Sequence, residues 1–207
     1  MGVVTLLNFR TEIISAMSGR VTEAADVAKM NRWVNAGYLE VTGAIDFAEL
    51  DAVFNVATVD GTVEYAGPTD AAGWRSVFDE TNDLLLERVS LEQLYRRERS
   101  IKNIPDFWSR RGDTLILSPT PNAVINERLL YKKNAAILDD DADLTAISGT
   151  WDHAIYLLAM SSAHLSFSEE NRATFWRNLA VAYIQSRFTE GDLISGRFVA
   201  PAPAQGQ

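Results

Sequence analysis

The chain contains no cysteine. That excludes disulfides, thiolate metal sites and cysteine nucleophiles together, and it fits a reducing compartment. Histidine is nearly absent too, with only two in 207 residues. His153 and His164 lie roughly 16 Å apart along one helix, so a single subunit does not bring them to one metal. No H-E-x-x-H, G-x-S-x-G, Walker or dinucleotide fingerprint occurs. Long apolar runs are missing as well: the longest, Ala154 to Met160, is far too short to cross a bilayer. The N-terminus lacks the basic and then apolar order of a secretory signal. Met1-Gly2 opens as a myristoylation motif does, but Leu6 stands where that motif needs Ser or Thr. Positive charge is in deficit, 19 Lys and Arg against 28 Asp and Glu, for a net charge of −9. Such a chain does not adhere to phosphate backbones without sequence preference, although an acidic wall lets DNA slide past. Together these absences predict a soluble chain with no catalytic residue, no metal, no cofactor and no membrane segment.

What is present is enough hydrophobic residue, 47%, for one domain with a tail or two small domains. Leu6, Phe9, Ile13 and Met17 recur at helical spacing behind Thr5, a predicted N-cap, and Gly19 ends the segment. Met30, Trp33, Val34, Gly37, Tyr38 and Val41 form the apolar stripe of a second helix. The period then changes. Residues 52–59 are rich in β-formers, Asp60-Gly61 is a hairpin turn signal, and Thr62 to Tyr65 reads as the returning strand. Leu84 to Val89 is a further predicted strand. Ser90 with Gln93 has the capping-box spacing and starts a helix through about Glu98. Thr114 to Leu117 and Ile125 to Tyr131 are predicted strands joined by a turn at Pro119–Asn122. From Thr150 the helical period returns. Ser168 is the predicted cap of a last helix whose stripe is Phe175/Trp176, Leu179/Ala180, Tyr183/Ile184 and Phe188.

The expected fold is therefore α+β, mainly α. An N-terminal helix pair and a C-terminal helix pair form a helical bundle, with an inserted antiparallel block of short strands at about 52–131. In domain terms, residues 1–189 make one domain, helical at 4–49 and 150–189 with a β-rich insertion at 50–149. Residues 190–207 form a flexible C-terminal arm rich in small residues.

Three features invite a functional reading. Asp139, Asp140, Asp141 and Asp143 form the densest acidic cluster, but Leu144 stands where a calcium loop needs glycine and Thr150 where it needs glutamate. The cluster reads as a loop leading into the next helix. Arg88, Arg96, Arg97, Arg99, Lys102, Arg110 and Arg111 reverse the local charge. Arg96, Arg97 and Arg99 are accordingly expected to contact Asp139, Asp140 and Asp141 of a neighbouring subunit. The helix at 151–165 is apolar on both sides, because Tyr156, Leu157 and Met160 oppose Trp151, Ile155, Leu158 and Leu165. A helix with two apolar faces predicts either cover from elsewhere in the chain or self-association.

The order of these parts resembles the head–tail adaptor proteins of tailed bacteriophages, also called connector or head-completion proteins. The matching pieces are Asn31-Arg32-Trp33-Val34-Asn35-Ala36-Gly37-Tyr38, the Asp60-Gly61 turn with Tyr65 and Pro68, and Ile104-Pro105 with a nearby aromatic. The Leu115–Pro121 run, Leu130-Tyr131 and the acidic loop before the closing helices complete the match, over about residues 4–189. The family often places a glycine just ahead of the proline, where this chain has Asn103 and Ile104.

The resemblance implies a structural virion protein of the neck, made in the host bacterial cytoplasm. About twelve copies form a ring that docks under the portal protein. The ring extends the DNA channel without sequence-specific binding and offers a platform for a downstream tail or stopper protein. A C-terminal arm, here Phe188 through Arg197, Phe198 and Val199, is implied to grip the portal. Two other functions are carried as alternatives. One is a tail-accessory peptidoglycan hydrolase, which needs a glutamate such as Glu64 or Glu87 in a cleft near a second carboxylate. The other is a monomeric binding or assembly module.

Overall fold

The computed structural model describes residues 4–97 and 101–189. The chain divides into two compact units, a helical one formed by the residues up to Glu49 with those from Ala135 onward, and a strand-rich one spanning Leu50–Asn134.

In the helical unit, α1 (Leu6–Ala16) begins as its sequence requires: Thr5 is extended and its hydroxyl accepts from the Asn8 N–H at 3.3 Å. Leu6, Phe9 and Ile13 are buried on one face. The longer α2 (Glu23–Ala44) buries the anticipated stripe from Met30 to Val41. α4 (Asp152–Ser166) and α5 (Glu170–Thr189) close the unit.

The helices do not associate as an N-terminal pair and a C-terminal pair. α4 is the central helix, with α2 on one side and α5 on the other, and α1 packs mainly on α2. The physical reason is backbone access. A Cβ at Gly37 would sit 2.6 Å from the Ile155 carbonyl oxygen and 3.0 Å from the Ala159 nitrogen, so α2 touches the backbone of α4 there. Ala154, Ala159 and Ala163 keep α4 slim, which leaves room for close neighbours on both sides.

Ser168 does not cap α5. It adopts φ +58° after the last turn of α4. Its N–H donates to the Leu165 carbonyl and the Glu169 N–H to the His164 carbonyl, each at 3.0 Å. That is a Schellman ending, with serine in the left-handed position that glycine usually fills. The α5 face is also rotated from the expected one: Ala173, Ala180 and Ile184 are buried, whereas Phe175 and Leu179 are exposed.

The strand unit is not a block of short antiparallel strands inserted in a mainly helical chain. Helix accounts for 43% of the structure and strand for 26%, so the fold is not mainly α. The strands are β1 (Asp51–Ala57), β2 (Glu64–Ala66), β3 (Ala71–Asp79), β4 (Leu84–Arg88), β5 (Lys102–Asn103), β6 (Phe107–Arg111), β7 (Thr114–Ser118), β8 (Thr120–Pro121) and β9 (Asn126–Lys133). A short helix α3 (Leu91–Arg96) follows β4, and its capping box between Ser90 and Gln93 is complete. Seven strands form one sheet in the order β1-β9-β3-β4-β6-β7-β2, and β5 pairs with β8 separately. The sheet is mixed rather than antiparallel, because β4 and β6 run parallel.

Two expected pairings fail. β1 pairs with β9, and β2 with β7, so Asp60-Gly61 turns the chain without making a hairpin of its flanks. The strands β7 and β9 do not pair with each other. The longest strand, β3, had no sequence expectation. It is broken by register shifts near Gly73 and Arg75, which hide its alternation. The core of this unit is Trp74, Val77, Leu86, Trp108, Leu115, Leu117, Leu129 and Tyr131. Gly67 lets the Trp74 ring lie where a Cβ would stand 2.4 Å away.

Candidate functional site

The acidic loop is held by the helix stretch that carries Asn31 to Tyr38. Asn35 Nδ2 donates to the Leu138 carbonyl, and Asn35 Oδ1 accepts from the Leu138 N–H, both at 2.8 Å. Tyr38 Oη accepts from the Ala146 N–H at 2.9 Å. Arg10, only 1% exposed, donates to Asn31 Oδ1 at 3.0 Å and pairs with Asp141 at 2.5 Å and Glu23 at 2.8 Å. The loop answers from its own backbone: the carbonyls of Asp143 and Asp141 accept from Leu6 N–H and Leu7 N–H, the first donors of α1.

Within the loop, the Asp143 carboxylate accepts from the N–H groups of Asp140 and Asp139, which hold its pKa below the ordinary value. Asp140 accepts from Ala142 N–H at 3.0 Å. Among the described residues, no three acidic or histidine side chains converge so as to hold a metal. The cluster is a helix-capping loop. Asp139, Asp140 and Asp141 remain exposed at its surface.

The basic stretch belongs to the strand unit and is engaged there. Arg110 lies 4.9 Å over the Trp74 ring and Arg88 5.4 Å over the Trp108 ring. The two indoles themselves stack at 6.2 Å, giving an Arg–Trp–Trp–Arg pile. Arg97 sits 3.5 Å over Phe107. Arg111 pairs with Glu64 at 2.7 Å and donates to Tyr95 Oη at 3.0 Å. Lys102 pairs with Asp60 at 2.9 Å, and Arg96 with Glu92 across one turn of α3. Arg99 lies outside the described residues. The described residues of the two sets expected to meet between subunits therefore sit in different units of the chain, where Arg96, Arg97, Asp140 and Asp141 each have a local partner.

The two apolar sides of α4 are both covered within the chain, by α2 and by α5. Apolar surface reappears one helix later. Phe175 is 57% exposed, Leu179 39%, and Leu165 before the turn 61%. Residues 175 and 179 lie one turn apart on α5, on the side away from its buried alanines. Phe188 is half-buried, its ring 6.2 Å from that of Trp151. Arg197, Phe198 and Val199 lie outside the described residues.

His153 is exposed, and His164 is buried with its Nδ1 2.7 Å from Glu169. Hydrogen bonds from Arg20 and His164 hold the Glu169 carboxyl down at about 2. Glu64 and Glu87 are both exposed on strands, Glu64 in its ion pair with Arg111. Among the described residues the buried acids are others: Asp79, Glu127 and Asp152. Glu127 had a sequence signal, since it shares inward parity with Ile125, Leu129 and Tyr131.

Among families of known proteins, the model described as SU10 adaptor protein matches residues 4–201. No curated protein matches the chain.

Proposed function

The chain belongs to the SU10 adaptor protein family, a family of phage head–tail adaptors, and on that premise we propose that it builds a ring of about twelve copies beneath the portal. The coarse role follows from the family: a structural component of the virion at the junction of head and tail. The finer reading is ours. The ring extends the DNA channel, and the acidic surface repeated around it keeps DNA from adhering as it passes. Its far side receives the next tail or stopper protein.

The family match over nearly the whole chain carries this reading. The exposed pair Phe175 and Leu179 supports it, because apolar side chains left on the outside of a closed helical unit are finished by a neighbouring molecule. Arg96 of one copy meets Asp139 and Asp140 of the next; its helix-surface pair with Glu92 is largely exposed and costs little to redirect. Arg97 and Asp141, tied to Phe107 and Arg10, hold that contact's framework. The segment from Phe188 through Arg197, Phe198 and Val199 docks on the portal, and many equivalent arms engage at once.

Electron microscopy of the purified chain mixed with isolated portal rings tests the reading. A second ring stacked on one face of the portal is the expected image. Undecorated portals at saturating protein overturn it. A chain ending at Thr189 is expected to keep its fold and lose portal decoration.

A further inference from the structure

A cavity of about 160 Å³ opens in the helical unit among residues of α1, α4 and α5. Its walls include Phe9, Glu12, Asp152, His153, Tyr156 and Tyr183, and among the described residues no lysine or arginine lines it. Asp152 is 6% exposed and stands in the first turn of α4, where the helix end favours a negative charge. Its two oxygens accept from Val4 N–H at 3.3 Å and Thr145 Oγ1 at 3.2 Å. The rings are set by their own contacts. His153 meets Tyr183 edge to face at 4.9 Å and stacks on Tyr156 at 6.3 Å. Tyr183 Oη donates to the Thr150 carbonyl at 2.8 Å, which fixes that ring.

Two carboxylates share this small space. Burial pushes the Asp152 carboxyl and the Tyr156 hydroxyl above their ordinary values, and the charge of Glu12 adds to both effects. A guest that enters must relieve negative potential and lie against aromatic faces. An anion worsens the repulsion. A neutral apolar group leaves it. A metal ion lacks ligands, because no three acidic or histidine side chains converge among the described residues. An organic cation satisfies both demands at once. Tyr183 already shows the preference: the Arg187 guanidinium lies 5.2 Å over its ring and donates to its hydroxyl at 3.2 Å.

We propose that this cavity is a receptor for one cationic side chain, an arginine or lysine, presented by a partner protein. The volume admits one charged head with part of its stem, not a whole metabolite, so the rest of the ligand stays outside. The site stands independently of the ring and portal reading.

The test is titration of the full chain with methylguanidinium and with neutral N-methylurea at constant ionic strength, following the ring resonances of His153, Tyr156 and Tyr183 by NMR. Saturable shifts with methylguanidinium only are the expected result. Glu12→Gln, an exposed position, should weaken them roughly fivefold, and Tyr156→Leu by a similar factor. Acetyl-Gly-Arg-Gly-amide should bind at least as tightly as methylguanidinium. Equal responses to the urea, or no loss in Glu12→Gln, overturn the site. A cavity that admits methylguanidinium but excludes the peptide overturns the protein partner. Binding that appears only after residues 1–3 are removed overturns it too, because the chain then fills the cavity itself.

Discussion

Asn35 pairs with the backbone of Leu138 as a strand would, donating to its carbonyl and accepting from its N–H, both at 2.8 Å. One side chain thereby satisfies both polar groups of a residue 103 positions away, where the chain re-enters the helical unit. The Nδ2 also donates to the Asn31 carbonyl at 2.9 Å, which keeps the amide aligned along α2. Asn31 itself receives Arg10, and Arg10 holds Asp141. The helix stretch from Asn31 to Tyr38 is therefore a clasp for the acidic loop, and that gives its residue choices a structural cause.

Removing the clasp strands the Leu138 N–H and carbonyl. Asn35→Ala should destabilise the chain by about 2–4 kcal/mol, since two buried groups lose their partners together. Urea unfolding measures the loss. Hydrogen exchange should show faster opening of residues 138–146 than of α4. Protection unchanged across the loop would refute the clasp.

Gly37 and Gly43 share α2 and make opposite predictions. At Gly37 a methyl collides with the Ile155 carbonyl and crowds the Ala159 nitrogen, both of them fixed in the α4 backbone. Gly37→Ala should cost about 3 kcal/mol by forcing α2 away from α4. Gly43 has open space around its Cβ position, so Gly43→Ala should be neutral or stabilise by up to about 1 kcal/mol. Thermal melts of the two variants decide it.

Glu127 makes stability depend on pH. It is 1% exposed, neither carboxyl oxygen has a hydrogen-bond partner among the described residues, and it stands opposite Asp79 in the β3–β9 register. Burial, with Asp79 adding its charge, raises its pKa from 4.5 to about 7. The folded state thus binds a proton that the unfolded state releases between those values. Its contribution is fully present below about pH 4.5 and is lost as pH rises through about 7. Glu127→Gln should remove that slope and stabilise the chain at pH 8 by on the order of 2–3 kcal/mol. Urea midpoints measured from pH 5 to 8 in both proteins test it; parallel curves would count against it.

The exposed pair on α5 should matter for assembly and not for folding. Phe175→Glu with Leu179→Glu is expected to leave the melting temperature within a few degrees and to block ring formation on the portal. Charge reversal at Arg96 and Arg97 is expected to reduce the mass of the assembled species, with a modest stability loss from Arg97 leaving Phe107. Native mass measurement reads both, and unchanged mass in either variant removes that surface from the proposed interface.

The sequence by itself determined what lies within a few residues of its cause. Thr5 caps α1, Ser90 and Gln93 close a capping box, and the stripe from Met30 to Val41 is buried as its spacing requires. Each of these is a local bond or a helical period. It also determined the family, whose match runs over residues 4–201. Only the tertiary structure decided which strand meets which. β1 finds β9 across some 70 residues rather than its neighbour β2, because backbone hydrogen bonds carry no residue code and the turn at Asp60-Gly61 fits either outcome. The structure likewise decided the role of Ser168, since a serine between two helices reads equally as the start of one or the end of the other. It decided the working face of α5 for a related reason. Apolar residues lie on both sides of that helix, and the small ones, Ala173 and Ala180, were selected by close approach to α4. Contact distance between distant segments is set by packing, and spacing along one chain does not record it.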